Sequence, residues 1–255
     1  MRTWGTADYP DVGRHFLPAV AHLVEAAEVG PDDRVLDVAC GPGNVSLSAH
    51  RRGATVVGVD LAPAMLAFAR ENAHVVEADV AWHNADAEAL PYVAGAFDAV
   101  LSNVGHFVAP DPEAAGRELV RVASSGGRIA YTAWLPDGPL PAIYGALGPY
   151  LPEEPNEPPP PHRWSDPDLA RRRLGPAAKD LATEDGAVTI PAVSLEHFWA
   201  FLVAGSAPLQ DTLGSVPDPD RPAARHDVLE AVAPHFDPST NLVELPYRLV
   251  TARKR

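Results

Sequence analysis

The chain has 255 residues, 46% of them hydrophobic, with a formal net charge of −14 and one cysteine. So acidic a chain argues against a nucleic-acid partner, whose phosphates need clustered Lys and Arg, and one cysteine excludes an internal disulfide and a cysteine-based zinc site. No signal peptide and no apolar span of membrane length is visible, so a cytoplasmic protein with one α/β domain plus insertions is expected.

Residues 1–12 are polar and aromatic, with Trp4 and Tyr9. From Gly13 to Val29 the spacing is helical: Leu17, Val20, Val24 and Ala27 share one side, and Pro18 marks the first regular turn. Pro31-Asp32-Asp33 turns into the most informative stretch, Arg34 to Asp60. Val35, Leu36 and Val38 read as a buried parallel strand. The turn Cys40-Gly41-Pro42-Gly43-Asn44 follows, where glycine lets a ligand approach the main chain. Asn44 to Arg52 fits a helix stopped by Gly53. Thr55 to Val59 is a second strand, ending on Asp60. A strand–helix–strand unit with a glycine turn after its first strand is a nucleotide cradle, and the acid after its second strand can accept from both ribose hydroxyls. Gly41, Gly43 and Ser46 form a weak dinucleotide fingerprint that leaves NAD and S-adenosylmethionine open. Asp37 separates the two. An acid inside the end of the first strand is costly unless paired, and a neighbouring sulfonium ligand with a free amino group gives it a purpose.

The segments VLDVACGPGN and VVGVDLAPAML resemble the class I S-adenosylmethionine-dependent methyltransferases, in particular the ubiquinone/menaquinone-type small-molecule branch. The resemblance implies a Rossmann-like three-layer α/β/α sandwich whose mostly parallel seven-stranded sheet ends in an antiparallel strand. It implies S-adenosylmethionine as cofactor, S-adenosylhomocysteine as product, and a cradle made by Asp37, Ala39, Cys40, Gly41, Gly43 and Asn44. Asp60 would hold the ribose, with Leu61 against the adenine and Met65 beside it. Ala39 stands where many relatives carry a further glycine, with little consequence expected. Ala62 replaces a Ser cap, at a capping cost of about 1 kcal/mol.

Pro63 opens a helix to about Asn72, and His74 to Trp82 is a poorly marked strand. Asn84 to Pro91 resembles the family's third-strand segment: Asp86 would bond the adenine amino group, with Ala87 and Glu88 following against the ring. Phe97 to Asn103 is the fourth strand, whose end lies at the crevice where open α/β sheets bind ligands. Ser102 and Asn103 are expected to reach the methionine moiety, and His106 and Phe107 to face the transferred methyl. Asp111-Pro112 caps a helix to about Ala123. Arg128 to Trp134 is the fifth strand, with Trp134 leaving at the site end. Residues 135–162 are crowded with prolines and read as an insertion over the substrate mouth or a loop without structure. Asp166-Pro167 caps a helix ended by Gly175, on which Arg171, Arg172 and Arg173 read as solvated charge. Ala187 to Ile190 is a sixth strand. Ser194 caps a helix whose Phe198, Trp199, Phe201 and Leu202 read mainly as core. Arg221 to Phe236 is a last helix, and Leu242 to Ala252 a last strand that Pro246 consigns to an edge or bulge. The organisation expected is a lid helix over 1–30, the cofactor core over 31–135, an insertion over 136–187, and the rest of the sheet with substrate-side helices over 188–255.

Methyl transfer from a sulfonium is a one-step displacement in which the protein aligns the acceptor and excludes water. A base is needed only where the acceptor loses a proton; His106 is the first candidate and His15 the second. Trp4, Tyr9, Phe16, Phe107 and Trp134 are the candidate substrate walls, since aromatic faces suit both a cation and an apolar acceptor. No His or acid spacing marks a metal site. The expected function is methyl transfer to a small-molecule acceptor, in a chain compatible with a homodimer. Two rivals stay open: the same fold binding the cofactor without methylating, as a binding module or a catalyst of cyclisation or rearrangement, and a nicotinamide dehydrogenase, in which Asp37 and Asp86 have no clear task.

Overall fold

The structure is a computed structural model that describes residues 9–106, 109–152 and 161–255. Trp4 and Phe107 lie outside the described residues, and of Tyr9 only the backbone is described.

Five strands run in parallel: β1 (Arg34–Val38), β2 (Thr55–Asp60), β3 (Val80–Asn84), β4 (Phe97–Asn103) and β5 (Ala123–Trp134). With β6 (Ala178–Pro191), β7 (Phe236–Asp237) and β8 (Leu242–Lys254) they form one sheet of order β3-β2-β1-β4-β5-β8-β6, and the two-residue β7 pairs with β8. The last strand is antiparallel to both neighbours, β5 and β6. This is the expected α/β/α sheet of seven strands, with the two-residue β7 added as an eighth beside β8. Val35 to Val38 are all buried, because helices cover both faces and a central parallel strand has no wet side.

Three helices cover one face: α2 (Leu17–Ala26), α3 (Asn44–His50) and α4 (Pro63–Val75). The short α1 (Tyr9–Gly13) leads into them. On the other face lie α5 (Pro112–Val122), α7 (Pro167–Leu174) and the turn Pro161–Ser165. Asp111 caps α5 by accepting from Glu113 N and Ala114 N at 3.0 and 2.9 Å, and Asp166 caps α7 through Asp168 N and Leu169 N at 2.8 and 3.2 Å. Beyond the carboxyl ends of β5 and β6 come α6 (Pro139–Leu147) and the series α8 (Leu195–Gly205), α9 (Ala207–Gly214) and α10 (Arg221–Val232). Helix α6 packs on α10, and α8 packs on α1.

Three features depart from expectation. Strand β6 begins at Ala178, nine residues before the expected Ala187. Thr183, Glu184 and Asp185 are exposed there, and an edge strand covered on so little of its surface lacks the apolar alternation that would reveal it. Strand β8 is interior, although it contains Pro246. Pairing with β5 stops at Trp134↔Tyr247, so Pro246 borders only β6 as a paired strand, opposite Ala187. That is the local edge a proline requires. The third departure is Arg173, which is buried at 2% exposure while Arg171 and Arg172 are solvated.

Candidate active site

Asp37 is fully buried in β1, below the start of α3. Its Oδ2 accepts from Ser46 N at 2.9 Å and Ser46 Oγ at 2.6 Å. The N-cap of α3 is Gly43, which offers no side chain, so the carboxylate performs the capping task from the neighbouring strand. Asp37 Oδ1 is buried with no hydrogen-bond partner among the described residues. Burial pushes the carboxyl up to about 7, against the lowering effect of the Ser46 bonds. A half-satisfied buried acid at a glycine turn fits a ligand that brings a positive charge or an N–H donor.

The turn itself is left-handed at three positions: Ala39 at φ +56°, Gly41 at +52° and Gly43 at +89°. A Cβ on Gly43 would stand 2.7 Å from Trp82 Cη2, and one on Gly58 would stand 2.4 Å from Trp82 Cζ3, so the indole seals the turn from the β2–β3 side. The expectation that Ala39 behaves like glycine needs correction. Its φ lies where a side chain is strained, so the substitution has a cost of about 1–2 kcal/mol. Cys40 is buried behind the turn, and its thiol titrates well above the ordinary range because of that burial. Asn44 turns away, its Nδ2 donating to the Gly13 carbonyl at 3.1 Å, which ties the turn to the end of α1.

Asp60 clamps the turn. Its Oδ2 accepts from Gly41 N and its Oδ1 from Ala62 N, both at 2.8 Å. Each oxygen retains acceptor capacity for a ribose hydroxyl. Ala62 gives α4 no side-chain cap, and the Asp60 bond fixes only the N–H of Ala62 itself at the helix entry. Asn84 Nδ2 holds the Asp60 and Leu61 carbonyls at 2.8 and 2.9 Å, which leaves the Leu61 side chain exposed at 59% beside the acid. Met65 is buried at 2%, on the inner side of α4.

The β3–β4 connection, residues 85–96, contains no helix and is held by side chains. Arg121 donates to the Tyr92 and Leu90 carbonyls at 2.6 and 2.8 Å, while Glu118 accepts from Leu90 N at 2.7 Å. Asp86 Oδ1 accepts from Glu88 N at 2.9 Å, and Ala87 is half-buried beside it. Glu88 accepts from Asp111 N at 2.7 Å, so its carboxylate ties the loop to α5.

At the end of β4, Ser102 is fully buried, donating to the Val38 carbonyl at 2.7 Å and accepting from His106 N at 3.2 Å. Its hydroxyl joins β1 to the loop after β4. Asn103 is more exposed, and Thr132 Oγ1 fixes its Oδ1 at 2.8 Å. His106 does not face an open methyl site. It is 1% exposed, edge-on to Tyr131 and Trp164 with ring centroids at 4.6 and 4.4 Å. Burial and then the charge of Arg173 push it down to about 3, so it is neutral at neutral pH. His15 is half-buried, edge-on to Phe201 at 5.4 Å, with burial lowering it. Phe16 packs edge-on to Trp134 at 5.3 Å, and both are largely buried. Sequence reasoning missed Trp82, Gly105 and Arg173, whose roles arise from partners distant in the chain; the third place of the glycine pattern did mark Ser46.

A glycine turn clamped by Asp60, a buried half-satisfied Asp37 and the strand order above define a class I S-adenosylmethionine-dependent methyltransferase. Residues 35–127 match the family model described as a methyltransferase domain. The chain is 32% identical over 256 residues to the protein Rv1405c of Mycobacterium tuberculosis (strain ATCC 25618 / H37Rv), spanning 99% of this chain and 93% of that one. It is 45% identical over 105 residues to the demethylmenaquinone methyltransferase of Thermus thermophilus, spanning 40% of this chain and 48% of that one. Geranyl diphosphate methyltransferase in complex with S-adenosylmethionine shares the fold, with a TM-score of 0.55 and 18% identity over 94% of this chain and 85% of that one. Residues 35–127 thus carry a methyltransferase domain, and the chain as a whole belongs to one family with the mycobacterial protein. Among the described residues no helix is long and apolar enough to cross a membrane.

Proposed function

We propose that the protein moves a methyl group from S-adenosylmethionine to a small apolar acceptor, in the manner of the ubiquinone/menaquinone-type branch. The observation that carries this reading is the adjacency of a polar cradle and an aromatic wall. Asp37, Asp60 and the glycine turn stand at the carboxyl end of β1 and β2, while Phe16, Trp134, His15 and Phe201 gather toward β5 and α8. The partial likeness to a demethylmenaquinone methyltransferase supports an acceptor of that apolar kind.

The cofactor supplies an activated methyl carbon, so the chain's own work is binding, alignment and exclusion of water. In this reading Asp60 takes the ribose, Leu61 and the Asp86-Ala87-Glu88 segment border the adenine, and Asp37 Oδ1 receives the positive end of the ligand. Asn103, on the β4 end, completes the methionine side. His15, the more accessible of the two candidate histidines, takes the acceptor's proton where one must leave; His106, buried and neutral, positions the loop after β4. The arrangement of chain segments follows the same proposal: residues 1–30 as lid, 31–135 as cofactor core, and the two later segments as acceptor side.

The test is incubation with methyl-labelled S-adenosylmethionine and a panel of apolar acceptors that includes demethylmenaquinol. Label in an acceptor, with stoichiometric S-adenosylhomocysteine, is the expected result. Binding of the cofactor without product from any acceptor would favour the rival in which the fold binds and does not methylate.

A further inference from the structure

Behind His106 lies a cluster that the cofactor site does not use. Trp164, on the turn Pro161–Ser165, is edge-on to His106 at 4.4 Å and to Tyr131 at 5.5 Å. Arg173, from the last turn of α7, lays its guanidinium over that indole, with Cζ 4.4 Å from the ring centroid. Its backbone is fixed by α5: a Cβ on Gly116 would stand 2.7 Å from the Arg173 carbonyl oxygen.

Arg173 is 2% exposed, and its Nε and Nη1 have no hydrogen-bond partner among the described residues. Glu113 Oε1 is 3.9 Å from Nε, outside hydrogen-bond reach, and that carboxylate also serves Arg172 at 3.5 Å. A buried cation without a hydrogen-bonded counter-charge is expensive, and the cation–π contact offsets only part of the cost. Glu113, shared with Arg172, is the acid paired with Arg173 among the described residues, and at 3.9 Å it leaves the guanidinium's hydrogen bonds unmade, which an anion in direct contact would complete. His106 begins the loop leaving β4, and Glu113 lies in the first turn of α5, so the guanidinium sits at the carboxyl end of the sheet, on the face opposite Asp37. One buried guanidinium balances one negative charge. Trp164, Tyr131 and His106 surround it with flat rings. A planar monovalent carboxylate suits that setting better than a phosphate, which would need a second cation.

We propose that Arg173, set against Trp164 behind His106, is the receptor for a carboxylate group of the methyl acceptor. The proposal rests on the methyltransferase reading above and narrows its acceptor to an apolar molecule bearing one carboxylate.

The test is thermal unfolding of the full chain in sodium benzoate, sodium formate and sodium chloride at one ionic strength, for wild type, Arg173→Met and Arg173→Lys. Wild type is expected to melt about 2 °C or more higher in either carboxylate than in chloride. Arg173→Met should lose that difference while melting no lower than wild type in chloride, because a buried charge with unmade hydrogen bonds and only a distant counter-charge has been removed. Arg173→Lys, which keeps the charge but not the fork, should retain a smaller response, and it decides the matter if Arg173→Met does not fold. No carboxylate response in wild type, or an equal response in wild type and variant, overturns the proposal. S-adenosylhomocysteine serves as control. A stabilisation by it shared by wild type and Arg173→Met, without a carboxylate response, sinks the receptor alone; its failure to stabilise wild type counts against the methyltransferase reading.

Discussion

Ala39 and Gly105 share one space: a Cβ on Gly105 would stand 2.7 Å from the Ala39 Cβ and 2.7 Å from the Ala39 carbonyl oxygen. The alanine enters the glycine turn in a left-handed conformation, and the missing side chain after β4 makes room for it. Gly105→Ala should therefore destabilise the protein by about 1–3 kcal/mol and weaken cofactor binding, since the added methyl must displace the turn. Ala39→Gly should shift stability by less, within about 1 kcal/mol and toward stabilisation, because relief of the left-handed strain is offset by the greater freedom of glycine in the unfolded chain. Urea midpoints for the two variants check both statements.

Asp37 gives stability a pH dependence whose sign is fixed. Its carboxyl is raised to about 7 in the fold, mainly by burial, from about 3.9 in the unfolded chain. The folded state therefore holds the proton more tightly. The contribution is complete below the unfolded value and is lost as pH rises through about 7. Asp37→Asn should gain on wild type over that interval by an amount on the order of a few kcal/mol. Affinity for S-adenosylmethionine should move the other way in wild type, strengthening as the carboxylate forms, and should be flat in Asp37→Asn. Denaturation and binding measured on both proteins at a series of pH values would reveal the opposed slopes; parallel behaviour of the two proteins would exclude Asp37 as their source.

His106 acts at the acid end. Burial first, then Arg173, pushes it down to about 3 in the fold, from about 6.5 unfolded. Between those values the unfolded chain binds the extra proton, so wild type loses stability as pH falls, at up to about 1.4 kcal/mol per pH unit. His106→Phe keeps an aromatic ring between Tyr131 and Trp164 and should flatten that part of the curve. An unchanged acid slope in the variant would contradict the burial of a neutral imidazole at this position.

The β3–β4 connection depends on Arg121 and Glu118 for its path. Arg121→Met frees the Leu90 and Tyr92 carbonyls and leaves Glu118 without its cation, a loss of about 1.5–3 kcal/mol. Amide exchange in residues 86–92 should accelerate, and S-adenosylhomocysteine affinity should fall if that segment borders the adenine. Unchanged affinity with accelerated exchange would separate the loop from the cofactor.

The half of the chain with regular parallel strands is legible in the sequence because its central strands are buried on both faces and its helices open on a proline, an acid or a glycine turn. Asp37 and Asp60 are legible for a related reason: an acid at the end of an apolar run has to be explained locally. Strand β6 is hidden by its exposed edge, and the interior place of β8 is hidden because Pro246 lies just where its β5 neighbour stops. Ser102 and His106 sit where function is expected, yet their side chains are absorbed by the join between β1 and β4 and by the aromatic cluster. Arg173 reads in the sequence as one of three solvated arginines because a triplet does not disclose which member faces inward; that depends on Gly116 and Trp164, which meet it only in the fold.

The central claim is that the Asp37–Asp60 cradle binds S-adenosylmethionine. Calorimetric titration of wild type and Asp60→Ala with S-adenosylmethionine and S-adenosylhomocysteine tests it most directly. The account predicts one site per chain in wild type and affinity at least about tenfold weaker in the variant, which loses both the ribose acceptor and the clamp on Gly41. Absence of binding to either ligand, or equal affinity in the two proteins, would contradict it.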